Sequence, residues 1–181
     1  MKNVLLILAD GFEEIEALGT VDILRRLGVN VVTAALQGET VNGAHNMKVI
    51  ADKQLSAVCD DDFDAVILPG GMPGAANLDN SPIVDKVIKK AAADDKIIAA
   101  ICAAPFVLAK RGLLNGKVFT MYPGFDAELN GLKYTDKHAE ICGKTVTGKG
   151  PGAIFDFAAA VADALGLGAE CEKLYCGMFV K

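Results

Sequence analysis

Short unbroken runs of Val, Ile, Leu and Ala recur along this chain, and between them lie longer stretches in which apolar residues return every three or four positions. The short runs read as strands buried on both faces, the longer stretches as helices that pack over them. Val4 to Ala9 is the first strand; a helix follows from about Glu13 to Leu27, where Gly28 stops it. Asn30 to Leu36 is a second strand, and segment 38–51, with Gly38 and Asn42-Gly43, suggests a short hairpin. Asp64 to Leu68 is a buried strand that runs into Pro69-Gly70-Gly71-Met72-Pro73-Gly74. Ser81 to Ala93 is helical, with Pro82 in its first turn. Lys96 to Ile101 is a strand ending on Cys102, and a helix is expected over Ala103 to Arg111. Val118 to Met121 and Lys144 to Thr147 predict shorter strands, Pro151 opens a last helix to about Leu165, and segment 169–181 carries no assignment. This alternation predicts an α/β domain with a mostly parallel sheet. With no repeat and no linker to divide it, one domain over 1–181 is expected.

Composition narrows the function. The 181 residues are 52% hydrophobic and 23% charged, with 6% aromatic residues and no Trp, which describes a globular protein with an aliphatic core. A net charge of -5, with Lys and Arg scattered, argues against nucleic acid as a partner. The apolar run at Val4 is too short for a membrane span and has no signal-peptide character, so a cytoplasmic protein is expected. Five cysteines (Cys59, Cys102, Cys142, Cys171, Cys176) without a C-x-x-C pair read as free thiols in a reducing compartment. His45 and His138 lack a second ligand at metal-site spacing, so no metal is expected.

The chemistry concentrates at Cys102. A strand delivers it to a sharp turn with a helix expected just beyond, where free N–H groups and the helix dipole would stabilise a thiolate and lower the pKa from about 8.5. The N–H of Ala103 can then serve as an oxyanion donor, as at a nucleophile elbow. The competing reading is a small buried core residue, which is how the other four cysteines are read. In Asp10-Gly11-Phe12-Glu13-Glu14-Ile15-Glu16, Asp10 and Glu13 fit a D-x-x-E helix start. Glu16 shares a helix face with Thr20, Ile23 and Leu27, so it is either drawn inward, with its pKa raised, or a solvated helix-start carboxylate. The ends of the strands carrying Asp10, Gly70 and Cys102 would meet at a topological switch point, where ligands bind. The Gly-rich loop lacks a P-loop lysine and a G-x-G-x-x-G pattern. His138-Ala139-Glu140 superficially resembles the His-x-Glu of glutamine-hydrolysing enzymes but lies in a polar stretch, so His138, like His45, reads as a surface residue.

These segments together resemble the ThiJ/PfpI superfamily, in the branch of the parkinsonism-associated protein deglycase. The matching motifs are Glu13-Glu14-Ile15-Glu16, Val21-Asp22-Ile23-Leu24-Arg25-Arg26, Leu68-Pro69-Gly70-Gly71, Ala99-Ala100-Ile101-Cys102-Ala103-Ala104-Pro105, and Gly150-Pro151-Gly152 leading into Phe155-Asp156-Phe157-Ala158. The resemblance implies a flavodoxin-like three-layer sandwich, also like that of class I glutamine amidotransferases, and a homodimer. It maps the nucleophile to Cys102, its partner carboxyl to Glu16, and backbone donors to the Gly70-Gly71 turn and Ala103. It implies cofactor-free conversion of methylglyoxal-type 2-oxoaldehydes to hydroxy acids, or sensing of an oxidant through a cysteine sulfinate. Ala103 stands where protease-like members carry histidine, which disfavours peptidase chemistry. Tyr122, before Pro123, stands where many relatives place a histidine, and is an auxiliary hydrogen-bond donor at most. A flavodoxin-like FMN site is disfavoured because Glu13, Glu14 and Glu16 would repel the phosphate.

Overall fold

The computed structural model describes residues 1–180. In chain order its elements are β1 (Asn3–Leu8), α1 (Glu14–Arg26), β2 (Asn30–Ala35), β3 (Thr40–Asn42), β4 (Lys48–Ile50), β5 (Lys53–Gln54), α2 (Leu55–Val58), β6 (Ala65–Leu68), α3 (Gly74–Asp79), α4 (Pro82–Ala93), β7 (Ile97–Ile101), α5 (Pro105–Lys110), β8 (Ala139–Cys142), β9 (Thr145–Gly148), α6 (Ile154–Ala164) and α7 (Gly168–Met178). Seven strands form one sheet in the order β5-β2-β1-β6-β7-β9-β8, parallel throughout except for β8, while β3 and β4 form a separate antiparallel hairpin.

The unbroken apolar runs are explained by burial on both sheet faces. Val4, Leu6 and Leu8 of β1, with Ile97, Ala99 and Ile101 of β7, enter the core beneath α1, α6 and α7. Their neighbours Leu5, Ile7, Ile98 and Ala100 enter a second core beneath α2 to α5. Alternate residues thus feed opposite layers, as the two-residue period of a strand requires. The result is a flavodoxin-like sandwich, whose central order β2-β1-β6-β7-β9 reverses direction between β1 and β6. No helix among the described residues is long and apolar enough to cross a membrane.

Several expectations need correction. Val118–Met121 forms no strand: only an isolated bridge joins Thr120 to Thr135, while the Thr120 N–H donates to the Thr147 hydroxyl. The polar stretch around His138 instead opens β8, which folds back antiparallel on β9 because the turn at Cys142-Gly143-Lys144 is short enough for a hairpin. Asp10 does not cap α1. Its carboxylate accepts from the Asn42 N–H at 2.8 Å and so ties the end of β1 to the hairpin, and Glu13 occupies the cap position without a side-chain cap bond. The segment left unassigned folds into α7, which seats Cys171 in the core. Of the cysteines outside Cys102, only Cys171 is a buried core residue, and Cys176 is exposed.

Candidate active site

The site is built where β7 stops. The N–H of Cys102 donates to the Gly148 carbonyl at 2.9 Å, extending the β7–β9 ladder by one residue. Cys102 then turns into the left-handed region (φ 63°), and Ala104 N–H closes the turn on Ile101 O at 3.0 Å. A non-glycine residue held there costs on the order of 1–2 kcal/mol, and the turn aims the side chain off the end of the sheet. The helix expected from Ala103 begins only at Pro105 and is six residues long. What favours negative charge on the sulfur is therefore a pair of individual N–H groups and not a long helix. Those of Gly71 and Ala103 point at the thiol and favour its anion.

Glu16 reaches the same point from α1. It is buried, at 1% exposure, which settles the choice that its spacing left open. One carboxyl oxygen, Oε2, accepts from the Gly70 N–H at 2.9 Å. The other, Oε1, has no partner of ordinary geometry among the described residues, and the remaining neighbour of the carboxyl is the Cys102 thiol. Gly70 makes this approach possible. A Cβ there would lie 2.5 Å from the Cys102 Cβ and 2.6 Å from Glu16 Oε2, so any side chain would force nucleophile and carboxyl apart. Gly70 was expected among the donors to substrate, but its N–H is committed to Glu16 and its carbonyl to the Glu13 N–H, which leaves Gly71 and Ala103 for that task.

The two groups titrate as a pair. Burial pushes the Glu16 carboxyl up to about 7, against the lowering effects of Cys102 and the Gly70 N–H. Burial and the carboxylate alongside push the Cys102 thiol up to about 12, opposite to the expected lowering. The thiol's hydrogen bond favours the Glu16 carboxylate, and the carboxylate in turn raises the thiol, because two negative charges cannot share so dry a site. The pair therefore loses one proton near neutrality and holds the second strongly. Between those steps it carries one negative charge. The lower value belongs to Glu16, so the charge rests on its carboxylate beside a neutral thiol; passing the thiol proton to Glu16 gives a thiolate beside a carboxylic acid, a nucleophile with its base and then its proton donor in place.

The remaining residues divide clearly. Tyr122 meets Cys102 through its backbone, donating N–H to the Cys102 carbonyl at 2.9 Å, while its half-exposed ring lies against Gly150. His138 is exposed, as expected, and pairs with Asp156 at 2.8 Å. The residue that the sequence reading missed is Glu14. Nearly buried, it accepts from His45 N–H at 2.7 Å and contacts His45 Nδ1 at 2.9 Å, fastening the β3–β4 hairpin over the start of α1. That hydrogen bonding holds the Glu14 carboxyl below its ordinary value despite burial, and Glu14 and Glu13 raise His45. No local pattern signals a contact to a hairpin some thirty residues away. Glu13, Glu14 and His45 could together offer three ligand atoms to a metal ion.

A family model described as the DJ-1/PfpI family matches residues 2–164. The chain belongs to the DJ-1/PfpI family. Among its relatives, Protein dj-1beta of Drosophila melanogaster is 37% identical over 182 residues, covering 99% of this chain and 97% of its own. A Caenorhabditis elegans protein named glutathione-independent glyoxalase DJR-1.2 is 34% identical over 166 residues, 91% of this chain and 89% of its own. The crystal structure of a cysteine-to-alanine mutant of a DJ-1 superfamily protein from Salmonella typhimurium superposes with a TM-score of 0.95 at 36% identity, covering 100% of each chain. The DJ-1/PfpI fold thus extends over the whole described chain, including α7, which lies beyond the matched region.

Proposed function

We propose that this DJ-1/PfpI protein is a stress-response enzyme of the glyoxalase type, converting methylglyoxal-like 2-oxoaldehydes to 2-hydroxy acids with Cys102 as nucleophile and Glu16 as acid and base. The observation that supports this reading is the buried Glu16 carboxyl, with a pKa of about 7, beside the Cys102 thiol, as a proton-transfer group serving a nucleophile needs to be. The relative named as a glutathione-independent glyoxalase supports the reaction class.

In this scheme the Cys102 thiolate adds to the aldehyde carbon, and the new alkoxide takes up a proton to give a hemithioacetal. The N–H groups of Gly71 and Ala103 stabilise the developing oxyanion. Glu16, as carboxylate, removes the hydrogen of that carbon as a proton and returns it to the neighbouring carbon. The former aldehyde carbon is oxidised to a thioester while the ketone is reduced to an alcohol, so no external electron carrier enters. Water cleaves the thioester, releasing lactate from methylglyoxal and restoring the thiol. The scheme uses neither glutathione nor a cofactor. It assigns the protein to a reducing compartment such as the cytoplasm and, following the family resemblance, to a homodimer.

Purified protein incubated with methylglyoxal is expected to form lactate, and Cys102→Ser to form none. Wild-type protein that is folded and reduced at Cys102 yet yields no lactate would refute the assignment.

A further inference from the structure

The backbone of Cys102 anchors both walls of a neighbouring cavity of about 270 Å³. From the Gly148 carbonyl that accepts the Cys102 N–H, the chain continues directly into Lys149, Gly150 and Pro151. From the N–H that donates to the Cys102 carbonyl, it continues as Tyr122-Pro123. His138 also lines the cavity, and its carbonyl accepts from the Lys149 N–H at 2.9 Å, so the two basic residues are neighbours across β8 and β9. No Asp or Glu is among the lining residues.

The acids that balance these groups lie outside the cavity. Lys149 Nζ pairs with Asp136 at 2.5 Å, but Asp136 is 96% exposed; His138 pairs with Asp156, which is also exposed. Ion pairs so open to water contribute little, and an anion entering the cavity can replace a solvent-exposed partner at small cost. The walls otherwise offer the Tyr122 ring and Pro151, which suit a short carbon chain.

We propose that this cavity is a subsite for a carboxylate, and that Lys149 directs the Cys102 centre toward 2-oxoaldehydes bearing an acid group at their far end. This rests on Cys102 being the reacting atom. For 4,5-dioxopentanoate the chemistry stays balanced as above: the aldehyde carbon is oxidised, the adjacent ketone is reduced, water is added, and 2-hydroxyglutarate leaves. The distal carboxylate takes no part in bond making, so its contribution is to binding and steering.

The first test needs no turnover. Iodoacetate and iodoacetamide differ chiefly in charge, and their alkylation rates at Cys102 can be read by peptide mass spectrometry. The iodoacetate-to-iodoacetamide rate ratio is expected to fall about fivefold in Lys149→Met, the size of effect one charge exerts across several ångströms of partly hydrated protein. It should also fall with added salt, recover in Lys149→Arg, and stay at the wild-type value in Lys144→Met, whose lysine lies at the opposite end of β9. A ratio indifferent to Lys149→Met overturns the proposal. The second test compares kcat/KM for 4,5-dioxopentanoate with that for the neutral 2-oxopentanal, a preference expected to shrink in Lys149→Met. If neither compound turns over while the alkylation ratio still follows Lys149, the subsite stands and the glyoxalase reading falls. If both turn over with a preference that ignores Lys149, the subsite falls and the glyoxalase reading stands.

Discussion

Replacing Glu16 with Gln should make the protein more stable, and increasingly so as pH rises. In the native state burial holds this carboxyl at about 7, against an ordinary value of 4.5. A carboxyl with a raised native pKa binds its proton more tightly folded than unfolded, so stability is greatest below the unfolded value and falls as pH climbs from there through about 7. At about 1.4 kcal/mol per pH unit, the full penalty is about 3–4 kcal/mol. Most of it, roughly 2–3 kcal/mol, develops between pH 5 and pH 8. Gln keeps an acceptor for the Gly70 N–H and has no charge to desolvate, so Glu16→Gln escapes the penalty. Urea unfolding of both proteins at pH 5 and pH 8 measures the effect: the advantage of Glu16→Gln should widen by that amount at the higher pH. An advantage independent of pH, or a variant less stable at both, would refute the claim that Glu16 is held protonated by burial. A wild-type protein that retains so costly a carboxylate sacrifices stability for chemistry.

Gly70→Ala should abolish Cys102-dependent turnover and cost about 1–3 kcal/mol, because the added methyl overlaps both the Cys102 Cβ and the Glu16 carboxyl; activity assays and thermal unfolding check both. Mild peroxide should add two oxygens to Cys102 alone, since a protonated Glu16 can hydrogen-bond a sulfinate; intact and peptide mass spectrometry distinguish this from oxidation spread over exposed Cys176. Glu14→Ala should leave the His45 N–H without its acceptor and loosen the β3–β4 hairpin, seen as faster hydrogen exchange at the His45 and Met47 amides. The His45 share of that fastening is strongest below its ordinary 6.5 and is lost as pH rises through its raised native value.

The sheet was legible because its central strands are buried on both faces and must be apolar throughout, as in Val4 to Leu8 and Ile97 to Ile101. The hairpin expected over 38–51 is borne out by Thr40–Asn42 and Lys48–Ile50, whereas Lys53–Gln54 and Ala139–Cys142 are short edge strands, the latter with Glu140 buried and Ile141 exposed, so composition distinguishes them poorly from loops. Cys102 was legible from its place at a strand end. Its environment was only partly so: the motif places a helix after it, but the helix begins only at Pro105, and burial together with Glu16, from another element, raises the thiol. The reversal of the expected pKa shift follows first from burial and then from that contact, both of them properties of tertiary packing. Glu14 was read as part of a helix start for the same reason, since its partner His45 is brought to it only by the hairpin.

The claim that Cys102 and Glu16 form one titrating centre is tested most directly by the pH dependence of Cys102 alkylation with iodoacetamide, read at the Cys102 peptide. The first proton to leave the pair frees the Glu16 carboxylate to take up the thiol proton as the sulfur attacks, so the rate should rise through an inflection near 7 and then hold a plateau through the mildly alkaline range, and Glu16→Gln should remove that inflection. A rate that climbs through the ordinary thiol value near 9.0, in wild type and Glu16→Gln alike, would contradict the account.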